Sequence, residues 1–375
     1  MESLLPATLD LTSAVDAVLL SHPHKDHYGL ANLLPGNPPV FGGEDCLELV
    51  RLNGRFFDEP IPPNLHPWHH KKPFAIGPFT ITPFLTDHSA VDAYMLLIEC
   101  ARRKVLYSGD FRMTGRKSRL VDQLIRRPPQ HVDILLLEGT TLGRTDSFPT
   151  ETEVEDCFAD CFRETRGRVF VTWSAQNIDR TVSLYRACLK SGRILVIDQY
   201  CSRILDCLKR PGRRIPALGW KGLKCVVTRD RNRWFERMDL KDFTDKVCVP
   251  NGLSVRALQD TPKKWAIFIQ SGLLRDFQRN LTPMPEDLWI YSMWQGYLAD
   301  GSNRIGAVKA WFDAAGVEMK TIHTSGHAAK SDLLDFCEGI APKVLIPIHS
   351  FDWDNHLDSF PNAVRLNDGE PFDLS

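Results

Sequence analysis

The ten residues Ser21–Leu30, SHPHKDHYGL, place three imidazoles and a carboxylate (His22, His24, Asp26 and His27) within six positions of one another. They follow directly on the apolar run Val18–Leu20, which reads as a short buried strand. The cluster then reads as the loop leaving the strand's C-terminal end. A strand delivers the chain rigidly, and the turn after it can fold back until successive side chains converge on one point. A metal centre needs such convergence, since zinc takes His nitrogen and Asp oxygen at roughly 2.0–2.2 Å. Scattered surface histidines would account for one or two of these residues, but not for three of the chain's 12 His beside an Asp.

At 375 residues the chain is long enough for two domains, or for one large domain carrying an insertion. With 43% apolar and 25% charged residues and a formal charge of -1, it has the composition of an ordinary globular protein. No run of apolar residues is long enough to span a membrane, so no membrane partner is expected. The start, MESLLPATLDLTSAVDAVLL, has no basic n-region or compact apolar h-region, and a secretory signal is not expected. The ten cysteines include no CxxC pair, and the spacing of Cys157 and Cys161 suits packing on a helix. A reducing, cytoplasmic setting follows as the expectation. Charge is unevenly spread: Lys209–Arg237 holds ten Lys and Arg, including Arg213, Arg214, Arg229 and Arg231, against Asp230 and Glu236, with Trp220 and Trp234 among them. Such a segment is either a solvated face or a contact for a phosphate backbone.

Three stretches are expected. Residues 1–141 are rich in short strand-like runs (Val18–Leu20, Phe79–Phe84, Tyr94–Glu99, Val105–Tyr107, Ile134–Leu137) punctuated by Pro and Gly. Residues 142–315 alternate helices and strands, which predicts a mainly parallel sheet with helices on its faces. Thr152 with Glu155 is a capping-box candidate for a helix through Arg163, and Arg304–Ala315 reads as a helix ended by Gly316. Residues 316–375 return to the first style, with Val344–Ile348 leading into His349. The middle stretch therefore reads as an inserted domain.

Further ligand candidates sit where strands stop. His88 lies in TDHS, Asp110 in YSGD after a glycine that permits a close turn, Glu138 in LLEGTT, His323 and His327 in HTSGHA, and His349 in IPIHS. Taken singly, each has a structural explanation: Glu138 would accept turn N–H groups, and His323 would hydrogen-bond in a core. Together, His22, His24, Asp26, His27, His88, Asp110 and His349 exceed what one tetrahedral ion uses, and suit two ions sharing a carboxylate. Zinc is expected, with manganese able to occupy the same N/O ligands.

HPHKDH, with His88, Asp110 and the late His349, resembles the metallo-β-lactamase fold, whose signature is HxHxDH. Glu138, the inserted α/β region, HTSGHA and IPIH resemble its β-CASP branch, which includes ribonuclease J-type enzymes, messenger-RNA 3′-end processing nucleases and DNA-repair nucleases. The resemblance implies an α/β architecture, an αββα sandwich with an inserted β-CASP α/β domain. It further implies a two-zinc nuclease in which His22, His24 and His88 hold one ion, Asp26, His27 and His349 hold the other, and Asp110 bridges. Asp26, Asp110, Glu138 and His327 would carry catalysis, with His327 as general acid oriented by Glu138. Single-stranded RNA is the expected partner because more of the resembling family acts on RNA. A DNA nuclease, a small-molecule ester, lactone or phosphodiester hydrolase and a non-catalytic scaffold are the alternatives, and a homodimer is left open.

Ser325 and Gly326 could offer a hydroxyl and a backbone N–H to phosphate, and Gln176, Asn177 and Arg180, beside Trp173, could meet a nucleotide in a groove under the insertion. The chain departs from the family pattern in three places. It opens close before the HPHKDH strand, where the family has further leading strands, so the expectation is either that the true start lies upstream or that Asp10 or Asp16 is a poor substitute for a bracing Asp. Ser350 and Phe351 follow His349 where ribonuclease J has Gly-Glu, and the separate C-terminal domain of ribonuclease J is not expected.

Overall fold

The structure is a computed structural model that describes residues 15–144, 147–299 and 305–373; Asp10 and Arg304 lie outside them, and Asp16 is exposed. Two units emerge, Met1–Phe148 with Ser325–Ser375, and Pro149–Thr324. Both boundaries fall later than the expected 142 and 316. Leu142 is buried in the core of the first unit, and Thr141 Oγ1 donates to Ala328 O there. At the other end, Glu318–Thr321 forms a strand on the sheet of the second unit, and Thr324 Oγ1 donates to Pro149 O.

In chain order the first unit contributes β1 (Val18–Leu20), β2 (Val40–Gly43), β3 (Leu65–Trp68), β4 (Phe74–Ile76) and β5 (Phe79–Leu85). It continues with β6 (Tyr94–Cys100), β7 (Arg103–Tyr107) and β8 (Ile134–Glu138). The second unit supplies β9 (Val169–Thr172), β10 (Ile194–Asp198), β11 (Leu223–Val226), β12 (Gly252–Leu253), β13 (Trp265–Phe268), β14 (Leu288–Tyr291) and β15 (Glu318–Thr321). The chain then returns to the first unit with β16 (Val344–Ile348).

Strands β1-β2-β3 form a parallel sheet, and β16-β8-β7-β6-β5-β4 a mixed one. Side-chain alternation along β6 shows how the two stack. Met95 and Leu97 join a core with Val121 and Leu124 of α3 (Ser118–Arg126) and with Leu333 and Phe336 of the helix Lys330–Ile340. Tyr94 and Leu96 face the other way, into a cluster with Trp68, Leu19 and Phe41 of the smaller sheet. Beyond that sheet, Leu20 and Val40 pack with Cys46, Leu47 and Val50 of α2 (Glu44–Phe57). Three apolar interfaces between four layers make an αββα sandwich, the architecture the resemblance implies. Neither β2, β3 nor α2 was legible in the sequence pattern.

Strand direction positions the site. β5–β6 and β6–β7 are antiparallel, whereas β7–β8 and β8–β16 are parallel, so β5, β7, β8 and β16 all end at one edge of the sheet. The loop after β1 is tied to the same edge by Tyr94 N–H donating to Ser21 O at 2.9 Å.

In the second unit seven strands, all parallel, run in the order β12-β11-β10-β13-β9-β14-β15, as the helix–strand rhythm predicts. β9, β13 and β14 are buried along their whole length, which suits a sheet covered on both faces. The capping box is present, but two residues earlier than expected: Thr150 caps the helix Glu151–Glu164 and pairs with Glu153, not Thr152 with Glu155. Pro149 before the cap fixes an extended entry that the T-x-x-E spacing alone does not distinguish. The helix expected over Arg304–Ala315 spans Ile305–Asp313 among the described residues. No helix among the described residues is long and apolar enough to cross a membrane.

Candidate metal centre

The first unit brings together all seven expected ligands. His22 and His24 lie in the loop after β1, and Asp26 and His27 on the short helix α1 (Lys25–Tyr28) that follows. His88, Asp110 and His349 each follow a strand that ends at the shared edge. Their donor atoms form overlapping groups (His22–His24–His88, His22–His27–Asp110, Asp26–His27–His349 and Asp110–Glu138–His327–His349), each within 4.8 Å. Asp110 is 3% exposed, and its Oδ2 lies 3.2 Å from His27 Nε2 and 3.6 Å from His22 Nε2, while Oδ1 is 3.6 Å from His349 Nδ1. Asp110 reaches this position because Gly109 has φ +53°, and a Cβ there would sit 2.8 Å from Tyr94 O. Gly109→Ala is expected to destabilise the fold by at least about 1–2 kcal/mol and to lower metal content. An unchanged denaturation midpoint would show that the turn relaxes freely. His349 also takes a left-handed φ of +55°, a strained geometry for a non-glycine residue at a functional position.

The electrostatics fit a cation pair. Burial, reinforced by the neighbouring imidazoles, keeps His22 and His88 well below the usual histidine range, and burial brings His24 down to about 4. These rings are therefore neutral, the form that offers a lone pair to a metal. His88 Nδ1–H donates to Gly326 O, leaving Nε2 bare at 3.2 Å from His24 Nδ1. The buried Nε2 atoms of His22 and His27 have no hydrogen-bond partner among the described residues. Orphaned buried nitrogens cost free energy unless something accepts them, and a divalent cation would. The contact with Asp26 raises His349 to about 9 despite partial burial, and holds Asp26 below the usual carboxylate range. Asp110 is also held low: burial would raise it, but His27, His327 and His22 outweigh that.

A second layer of partners fixes these ligands. Glu138 is 1% exposed; its Oε1 accepts Phe111 N–H at 2.8 Å, which braces the Asp110 loop, and its Oε2 accepts from His327 Nδ1 at 2.9 Å. It also accepts Thr140 N–H at 3.4 Å, so the turn role and the histidine-orienting role coexist. Burial alone would lower the His327 pKa, but the Glu138 carboxylate raises it above the ordinary value. Ser325 Oγ accepts His327 N–H at 3.0 Å, and Gly326 comes so close to Ser89 and His88 that a Cβ would clash. Ser325 and Gly326 thus hold His327 and His88 in place.

Sequence reasoning missed two supports. Thr140 Oγ1 lies 2.7 Å from His349 Nδ1, and the fully buried pair Asp87–Arg112, with Oδ1 and Nε 3.3 Å apart, lies under the loops carrying His88 and Asp110. Arg112 also donates to Ser325 O. The only available signal was an Asp immediately before His88 and an Arg two residues after Asp110.

In the second unit Arg180 must be corrected. It is wholly buried, with Nη2 3.1 Å from Glu151 Oε1 and Nη1 donating to Ser292 O and His323 Nδ1, so it is a core cation and not a substrate contact. His323 belongs to this internal network through its Nδ1. Asn177 caps the helix Ile178–Ser191 through Oδ1 to Arg180 N–H, Gln176 donates to Tyr200 Oη, and Trp173 is core. Arg231 pairs with the buried Asp198 at 3.0 Å and stacks over Trp234, and Arg213 donates to Leu208 O. Arg214 and Arg229 have no ion-pair partner among the described residues.

Comparison with known proteins agrees with this arrangement. Residues 2–171 match the model of the beta-lactamase superfamily domain, and residues 316–351 that of the Zn-dependent metallo-hydrolase RNA specificity domain. Ribonuclease J of Sinorhizobium meliloti is 23% identical over 378 residues, which cover 96% of this chain and 63% of that protein. Ribonuclease J of Mycolicibacterium smegmatis is 23% identical over 364 residues, covering 91% and 59%. The chain spans less than two thirds of the length of these curated relatives. A crystal structure of a protein of unknown function from Enterococcus faecalis V583 superposes with a TM-score of 0.73 at 18% identity, covering 94% of this chain and 79% of that one. The chain has the metallo-β-lactamase fold with a β-CASP-type insertion and is homologous, at low identity, to the ribonuclease J family.

Proposed function

We propose that this chain is a two-zinc phosphodiesterase of the β-CASP nuclease type that cleaves single-stranded RNA in a cytoplasmic setting. The observation that carries the reading is the single donor set centred on Asp110, with a carboxylate-held histidine, His327, at its side. His22, His24 and His88 would hold one ion, Asp26, His27 and His349 the other, and Asp110 both. When bound, such a pair lowers the pKa of water and neutralises charge on a displaced phosphate. The protein's own part is positioning and proton transfer. Glu138 accepts from Nδ1 of His327, which turns Nε2 outward as the atom that would pass a proton to the leaving oxygen. RNA is favoured by the RNA specificity domain match and by the names of the relatives. Ten free cysteines suit a reducing compartment.

Phe351 supports a polymeric substrate. It lies two residues past His349 and is fully exposed (108% of its reference surface), although the loop is held by Asp352 N–H donating to Ser350 Oγ and by Trp353 Nε1–H donating to Ile348 O. An unshielded aromatic ring beside the centre is a platform for a base. Phe351→Ala is expected to raise KM for single-stranded RNA about 5- to 150-fold, the equivalent of roughly 1–3 kcal/mol of stacking. Phe351→Tyr should restore it, and hydrolysis of a small phosphodiester should be unaffected. Equal loss on both substrates would contradict a stacking role.

The function itself is tested by a time course on end-labelled single-stranded RNA bearing 5′-monophosphate or 5′-hydroxyl, with matching DNA. Cleavage of RNA over DNA supports the reading; mononucleotide release only from the monophosphate form identifies a 5′-exonuclease, and discrete fragments an endonuclease. Metal-loaded protein that hydrolyses a small ester but neither polymer would overturn it in favour of a small-molecule hydrolase.

A further inference from the structure

A second concave site lies in the first unit, away from the metal ligands. The turn around His70 and Lys71, the end of β5 and α3 enclose a cavity of about 430 Å³, within the roughly 300–1,000 Å³ typical of small-molecule sites. Its wall is apolar where Phe84 and Leu120 line it, and its charged lining consists of Lys71, Arg126 and Arg127. No acidic side chain lines it, and among the described residues none of these three cations has a carboxylate partner. Three uncompensated cations round one hollow repel each other, and an anion seated between them would relieve this.

The turn is held in place. Lys71 N–H donates to Pro83 O at 2.7 Å, and Leu85 N–H donates to His70 Nδ1 at 2.9 Å. Because Nδ1 accepts, the proton of neutral His70 resides on Nε2, which makes that nitrogen a further donor. Lys71 has a left-handed φ of +56°, uncommon for a side chain of its size and found where a ligand clamp is shaped. Apart from the neutral Gln123 and the Nδ1 of His70, which Leu85 N–H already occupies, every hydrogen-bonding side-chain group in the lining is a donor.

We infer that this cavity binds an organic phosphate of mononucleotide size, its phosphate held by His70, Lys71, Arg126 and Arg127 and its base against Phe84 and Leu120. The phosphate could belong to a free nucleoside monophosphate or to the 5′ end of an oligonucleotide. The inference does not depend on the metal centre's activity, because none of these residues belongs to it.

The test is calorimetric titration of the metal-loaded full chain, as wild type and as Arg126→Ala/Arg127→Ala, with adenosine 5′-monophosphate, adenosine, inorganic phosphate and a 5′-phosphorylated dinucleotide. Wild type is expected to bind adenosine 5′-monophosphate at least tenfold more tightly than adenosine or inorganic phosphate, and the double variant to lose at least tenfold. Both substituted side chains are exposed, so the variant should keep its melting temperature and its rate on a small phosphodiester. Tighter binding of the dinucleotide identifies an RNA end as the source, and weaker binding the free nucleotide. Identical isotherms for wild type and variant overturn the site, as does equal affinity for adenosine, which would need no cation. Substituting Lys71→Ala alone gives a second reading of the same loss should the double variant melt early.

Discussion

Asp110→Asn is expected to abolish turnover, by about 10⁴-fold or more, roughly 5.5 kcal/mol of transition-state stabilisation. The substitution keeps the size and planarity of the side chain and removes only the charge. Asp110 is the carboxylate common to two of the donor groups, and it faces His22, His27 and His349 from 3.2 to 3.6 Å. An amide cannot offer two anionic oxygens to two cations, so metal content should fall together with rate. The fold should survive, because the αββα layers are held by apolar interfaces on either side of β6 and not by this side chain. Elemental analysis beside a melting curve separates the two effects. A variant that melts normally, retains both ions and turns over at the wild-type rate would remove Asp110 from the bridging position.

His327→Ala is expected to lower kcat by about 10²–10⁴-fold, the range for loss of general acid–base assistance, with metal content unchanged. The ring hangs from Glu138 through a 2.9 Å hydrogen bond, and the backbone N–H of His327 donates to Ser325 Oγ, so the ring is placed and not merely present. Glu138→Gln should be milder, about 10- to 100-fold, as for other partners that orient a ligand or an acid from behind. The two losses should not add, since Glu138 acts through His327: in a His327→Ala background, Glu138→Gln should cost little more. The discriminating substrate is a phosphodiester with a good leaving group such as p-nitrophenolate, which needs no proton. Near-normal hydrolysis of that ester by His327→Ala identifies a proton donor. Loss of metal in the same variant would instead make His327 a ligand.

How far the site could be read in the chain depended on where the information lay. His22, His24, Asp26 and His27 were legible because they are local, six residues beside a short apolar run. His88, Asp110 and His349 were legible because each follows an apolar run, and the three strands concerned, β5, β7 and β16, all end at the same edge of one sheet. What stayed hidden was carried by pairing over distance. Arg180 looks like a nucleotide contact at a strand-to-helix transition, until Glu151, 29 residues earlier, is found against it in the core. Asp87 and Arg112 are 25 residues apart and ordinary in their own surroundings. The strand β15 has the sequence EMKT, polar and half-exposed at a sheet edge, and gives no apolar signal, so the unit boundary was placed before it. β2 reads VFGG, whose glycines argue against a strand on propensity, although packing under α2 makes it one.

The most direct test of the two-metal reading is the metal content of folded, wild-type protein purified without chelator. About two zinc ions per chain are predicted, because seven side chains from four separated segments converge on one small volume and two buried imidazole nitrogens there have no hydrogen-bond partner among the described residues. One ion or none, in protein that melts cooperatively, would contradict the two-metal account.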